Sequence, residues 1–220
     1  MAFVIDLFLH LDVHLNTFVN QYGALSYALL FLVIFIETGA VVLPFLPGDS
    51  LLFAAGAISA IQGNVLNHYV LMIMFWIAAF AGDNLNFFIG RTIGYRLVRH
   101  PILGRFIKEK QLVEAKDFYE RHGAMAIIFA RFLPIIRTLG PFTAAVSGFS
   151  YKRFVSLTAI AATAWVIIGV EAGYYFGRIE FIQQHFTLVI LGILLVTALP
   201  AIIAAIRSRI ISKKQQKMAK

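Results

Sequence analysis

The sequence predicts an all-α polytopic membrane protein. It comprises two inverted repeats, each a re-entrant helical hairpin followed by a transmembrane helix. An N-terminal amphipathic helix precedes them and a C-terminal transmembrane helix follows. Three observations lead there. Of 220 residues, 60% are hydrophobic, with a mean hydropathy of +0.82, where soluble domains are roughly 45–50% apolar. Residues 1–90 contain no Lys or Arg, and all 19 basic residues lie from Arg91 onward. Two motifs recur 87 residues apart: Phe45-Leu-Pro47 with Phe132-Leu-Pro134, and Gly82-x7-Gly90-Arg91 with Gly169-x7-Gly177-Arg178. Two recurrences at one offset, each in a hairpin-then-span context, mark an internal repeat.

Composition also excludes. With no cysteine, disulfides, thiolate metal sites and cysteine nucleophiles are absent. The N-terminus lacks the basic n-region of a cleavable signal. A net charge of +8 can point to nucleic acid. In so apolar a chain it reports cytoplasmic loops instead, and no nucleic-acid partner is expected.

Residues 1–23 read as an amphipathic helix lying in the interface. Leu7, Phe8, Leu11, Leu15, Phe18 and Tyr22 share one arc, and Asp6, His10, His14, Thr17 and Gln21 share another. His10 and His14 have metal-pair spacing but no third ligand nearby, so no metal site is expected.

Repeat 1 covers 24–91. An apolar run over 24–43 contains Glu37 and meets the helix-breaking cluster Pro44-Phe-Leu-Pro47-Gly48-Asp49. The next apolar run, Ser50 to Ile61, rises only about 18 Å, short of a ~30 Å hydrocarbon core. A re-entrant hairpin with its tip at Pro44–Asp49 follows, placing Glu37 and Asp49 at membrane depth. Asp49 alternatively reads as a plain helix N-cap; no terminus accounts for Glu37. Residues 69–90 then span, with Asp83, Asn84 and Asn86 in the final turns, interfacial or packed on the hairpin.

Residues 92–122 form a cytoplasmic amphipathic segment. From Arg91 to Arg121 eight basic groups face four acids, and Leu112, Ala115, Phe118 and Tyr119 keep helical spacing. A surface helix drawn to anionic lipid and a solvated loop both fit.

Repeat 2 covers 123–178 and carries the densest signal, Phe129-Ala-Arg131-Phe-Leu-Pro134-Ile-Ile-Arg137-Thr-Leu-Gly140-Pro141. Arginine at membrane depth costs ~2.5–3.5 kcal/mol on insertion scales. Proline inside a helix costs roughly 3 kcal/mol. Irregular backbone at that depth is tolerated where it lines a polar cavity, so two arginines beside it suggest an anion site. On a straight helix Arg131 and Arg137 would point about 240° apart; a break at Pro134 frees them to converge. Residues 154–177 then span, carrying Trp165 and Glu171. A last transmembrane helix over 184–206 leads into the basic cytoplasmic tail 207–220.

The basic tail sets the topology. With it inside, Lys152-Arg153 and 92–122 are also inside, 62–68 is outside, and the hairpins enter from opposite faces. Transporters with inverted repeats bind substrate near the midplane, where discontinuous segments meet.

These residues resemble the DedA family of bacterial inner-membrane proteins, the VTT or SNARE-associated superfamily, along nearly the whole chain. The resemblance rests on Glu37-Thr-Gly with Phe45-Leu-Pro47-Gly48-Asp49-Ser50, on Gly82-Asp83 through Gly90-Arg91, and on Phe129-x-Arg131-x-x-Pro134-x-x-Arg137. Phe87 stands where the family often has Tyr. The resemblance implies a multi-pass inner-membrane protein with opposed re-entrant hairpins, supporting the cell envelope in dependence on the proton motive force. It implies a flippase that returns undecaprenyl phosphate across that membrane. The basic pair carried over is Arg131 and Arg137, for phosphate. The acidic pair is Glu37 and Asp49, for proton coupling or charge balance. Pro44, Pro47, Gly48, Asp83, Pro134 and Pro141 are the supporting residues. No cofactor is expected. The partners are lipid phosphate, membrane phospholipid and protons, with homo-oligomerisation left open.

The residues themselves agree less specifically. Guanidinium forks match phosphate oxygens, and two nearby acids can balance those charges or carry protons. Three other readings compete: a proton-coupled cation or drug antiporter using Glu37 and Asp49, a membrane lipid phosphatase, and a scaffold of buried salt bridges. The enzyme is disfavoured because His68, His100, His122 and His185 fall at loops or helix ends, away from the arginine stretch.

Overall fold

The structure is a computed structural model. It describes residues 11–40, 48–61, 64–99 and 134–185, with 121, 125, 127–128, 131, 188–189, 191–193 and 195–196. Every regular element among the described residues is helical: α1 (Leu11–Tyr22), α2 (Leu25–Gly39), α3 (Gly48–Ser59), α4 (His68–Arg99), α5 (Pro134–Val146), α6 (Tyr151–Phe176) and α7 (Glu180–Gln184). His68–Gly94 and Tyr151–Phe176 are long and apolar enough to cross a membrane. At 1.5 Å per residue each exceeds the ~30 Å core. Ile73, Ile160, Ile167 and Ile168 are exposed on these two helices, as lipid-facing positions are. The chain is a helical membrane protein.

Glycine makes two of the turns. Gly23 sits at φ 54° after α1 and donates to the Val19 carbonyl at 2.9 Å. Gly148 sits at φ 78° after α5, where Phe149 N–H reaches back to Ala144 O at 2.9 Å. That six-to-one bond in a left-handed cap ends a helix and reverses the chain.

The structure differs from expectation at two places. The helix expected to end near Arg91 continues to Arg99, since nothing between them breaks it and Gly94 packs on Val146. The cytoplasmic segment expected from residue 92 therefore begins as helix; residues 100–120 lie outside the described residues. Pro134 starts α5, at the terminus where its missing N–H costs nothing, and Arg131 stands in a turn ahead of it, in keeping with the break expected there. Pro141, expected to break the backbone, lies inside α5, where it removes the helical donor to the Arg137 carbonyl. The N-terminal helix is described only from Leu11, so His10 of the His10/His14 pair lies outside the described residues, as do Pro44–Pro47 and the basic tail.

Packing is close because it runs over small residues. α3 lies along α6, while α2 and α5 lie along α4. On α6 the stripe Gly169, Gly173, Gly177 faces α3. A Cβ on Gly173 would stand 2.0 Å from the Phe53 carbonyl, and one on Gly56 of α3 would stand 2.3 Å from the Val170 carbonyl. On α4 a Cβ at Gly90 would stand 2.6 Å from the Phe142 carbonyl of α5. Small residues at four-residue spacing let membrane helices approach backbone to backbone, where dispersion and not hydrophobicity holds them. The core between α2, α3, α4 and α6 is filled by Leu30, Ile34, Leu52, Leu71, Phe75 and Val166, all fully buried.

Candidate functional site

The site lies halfway along the two long helices, at Asp83 on α4 and Trp165 on α6. Four other pieces converge on it: the end of α2 with Glu37, the start of α3 with Gly48 and Asp49, Arg131, and the first turns of α5 with Arg137. Charged groups here are buried to an extent water would never impose. Glu37 is 1% exposed, Asp83 2%, Arg131 4% and Arg137 6%. Such charges persist only when paired and hydrogen-bonded, because each ion's desolvation costs several kcal/mol.

The pairing is specific. Arg137 holds the acids of α2 and α3: Nη2 donates to Glu37 Oε1, and Nη1 donates to Asp49 Oδ1 at 2.9 Å. The Gly48 amide, first of α3, also donates to Glu37 Oε1, at 3.2 Å. Arg131 takes a different partner, with Nη1 donating to Asp83 Oδ2. Thr158 of α6 donates to the same carboxylate oxygen at 2.8 Å.

Trp165 joins the two halves. Its ring lies under both guanidiniums, 4.9 Å from Arg131 Cζ and 5.0 Å from Arg137 Cζ. Its indole N–H donates to Asp49 Oδ1 at 2.6 Å. Nearby, the Asn86 amide on α4 donates to the Thr38 carbonyl of α2 at 3.0 Å and to the Thr138 carbonyl of α5 at 2.7 Å. One side chain thus ties α2 and α5 to the long helix.

The inventory of bonds is incomplete in an informative way. Among the described residues, Arg131 Nε and Nη2, Arg137 Nε, Glu37 Oε2 and Asn86 Oδ1 are buried without a partner. A cavity of about 20 Å³ lies against both arginines, lined also by Asp83, Thr158, Gly140 and Pro141. That is room for one water-sized group. Asp49 is the acid of the cluster that opens outward, its side chain 26% exposed.

Glu37, Asp49, Arg131 and Arg137 therefore do meet, and the supporting Asp83 becomes the partner of Arg131. Gly48 supports through its amide, Pro134 by starting α5, and Pro141 by lining the cavity; Pro44 and Pro47 lie outside the described residues. Reasoning from sequence missed Trp165, Thr158 and Thr38 as site residues, and left Asn86 either interfacial or packed on the preceding segment; it packs on α2 and α5. One signal was available: tryptophan favours the membrane interface, and Trp165 stands mid-span. His68 is remote from the arginines and pairs with Glu171 at 3.1 Å near the start of α4.

A VTT domain matches residues 46–175, which include Asp49, Asp83, Arg131, Arg137, Thr158 and Trp165. The chain is 45% identical over 207 residues, 94% of each chain, to Protein DedA of Escherichia coli K12. It is 39% identical over 176 residues to the uncharacterized membrane protein MT0380 of Mycobacterium tuberculosis, covering 80% of this chain and 77% of the relative. It is 33% identical over 159 residues to inner membrane protein YghB of Salmonella typhimurium, covering 72% and 71%. No solved structure matches.

Proposed function

This chain belongs to the DedA family of VTT-domain membrane proteins, and from that premise we propose that it is a flippase for undecaprenyl phosphate or a related lipid phosphate. It works in the bacterial inner membrane with its C-terminus in the cytoplasm, and it draws on the proton motive force. The observation that supports this reading is the set of guanidinium N–H groups that are buried and without a partner among the described residues, beside a cavity at mid-helix depth. Each such donor costs about 1–3 kcal/mol while it is unpaired. An anionic head group satisfies them, while its prenyl tail stays in lipid along the exposed apolar faces of α4 and α6.

Inverted repeats fit the packing. Shifted by 87 residues, α3 falls on 135–146, which is α5 less its first residue. Each of these legs packs on the long helix of the other half, α3 on α6 and α5 on α4. In re-entrant hairpins of opposed entry, the N-terminal ends of α3 and α5 meet at the cluster, as discontinuous helices do in transporters. Protons enter through the charge count. Three carboxylates face two guanidiniums, so a bound anion requires a carboxylate to be protonated or displaced.

The same excess of carboxylates supports a second reading, a proton-coupled cation or drug antiporter with structural arginines. Proteoliposomes separate the two. The flippase should move a labelled polyprenyl phosphate between leaflets faster than protein-free vesicles and release no phosphate. Proton-coupled cation flux without lipid movement would favour the antiporter, and phosphate release would favour an enzyme.

A further inference from the structure

The two arginines differ in which edge they have left. Arg137 spends Nη1 on Asp49 and Nη2 on Glu37, leaving Nε alone. Arg131 spends only Nη1, on Asp83. Its Nε and Nη2 are both buried and without a partner among the described residues. Those two atoms share one side of the guanidinium, and their N–H bonds point the same way. It is the edge that takes an oxyanion by two parallel bonds. Arg131 also lines the cavity of about 20 Å³ between α4, α5 and α6, room for one water-sized group and so for one phosphate oxygen.

We infer that the phosphate monoester is bound by the Nε–Nη2 edge of Arg131, one terminal oxygen entering this cavity, while Arg137 is a lock that neutralises Glu37 and Asp49. Asp83 then sets the affinity. It shares the guanidinium with the head group, and Thr158 holds its carboxylate there at 2.8 Å, so its charge opposes the incoming anion. The assignment rests on the lipid-phosphate reading and divides the labour within it.

Titration of the purified full-length protein in detergent with undecaprenyl phosphate, undecaprenol and inorganic phosphate tests it. Wild type should prefer undecaprenyl phosphate to undecaprenol; equal affinities would overturn the lipid-phosphate reading itself. Equal affinity for inorganic phosphate would keep Arg131 as the ligand group and remove the lipid from the site. Given the expected preference, Arg131→Lys should weaken binding by about tenfold or more, because lysine keeps the charge and loses the two-point edge. Arg137→Lys should weaken it by less than about threefold, since a lysine still balances the two acids. Asp83→Asn should tighten binding, and it decides the matter should Arg131→Lys fail to fold. Equal losses in the two lysine variants, or an Asp83→Asn affinity at or below wild type, would overturn the assignment.

Discussion

Trp76 and Thr163 stand 87 residues apart, and the indole N–H of one donates to the hydroxyl of the other at 3.0 Å. The interval equals the offset at which the Phe-Leu-Pro and Gly-x7-Gly-Arg motifs recur. A residue can touch its own repeat equivalent only where the axis relating the two halves passes between them. Under the proposed inverted repeat the axis would run through this crossing of α4 and α6, and the cluster of Asp83, Arg131, Arg137 and Trp165 lies further along the same two helices.

The proposed inverted arrangement makes a topological prediction. Single cysteines at Gly63 and Ile182 should be labelled by an impermeant reagent from outside the cell, and one at Gln111 only from the cytoplasm. Labelling of Gly63 from the cytoplasm would remove the inverted arrangement.

The glycine stripes make a stability prediction. Valine at Gly173 must displace the Phe53 backbone of α3, and valine at Gly90 the Phe142 backbone of α5. Overpacking of this kind costs about 1–3 kcal/mol or more. Thermal denaturation in detergent should show both variants melting below wild type. Gly192→Ala, with no atom within 4 Å of the added Cβ, should melt with it.

Trp165 should be separable into ring and N–H. Phenylalanine keeps a face for the two guanidiniums and loses the donor to Asp49, whereas leucine loses both. Cation–π contacts in desolvated sites are worth about 2 kcal/mol. Trp165→Leu should therefore lower lipid-phosphate transport more than Trp165→Phe. Equal transport by both variants would show that the ring face contributes nothing.

The carboxylates should pair with Arg137 in a charge cycle. Arg137→Ala strands buried Glu37, and breaking a buried pair from one side costs about 3–5 kcal/mol. Glu37→Gln in the same chain should restore part of the lost melting temperature. In transport, Glu37→Gln and Asp49→Asn should each reduce the dependence of the rate on an imposed proton gradient. Full gradient dependence in both variants would leave these acids a structural role only.

Much of the cluster was legible because charge inside an apolar run is costly. Glu37, Asp49, Arg131 and Arg137 stand out for that reason alone. Their pairing was not legible. Six residues of separation group Arg131 with Arg137, but the fold gives Arg137 to Glu37 of α2 and Asp49 of α3, and Arg131 to Asp83 of α4. In sequence Arg91 reads as a membrane boundary, which puts Asp83 and Asn86 in the final turns of the span; with α4 running to Arg99 they lie mid-helix. Thr158 carries no signal of its own, since a lone threonine in a span more often bonds its own helix. Pro141 misled in the other direction: a helix packed on α4 tolerates the missing bond.

The most direct measurement is a cryo-electron microscopy map of the protein in lipid nanodiscs containing undecaprenyl phosphate. The expected result is phosphate density against Arg131, between α4, α5 and α6, with the prenyl tail leaving into lipid, and its loss in Arg131→Ala. Head-group density confined to the membrane surface, with the cluster unchanged from the lipid-free protein, would contradict passage through this site.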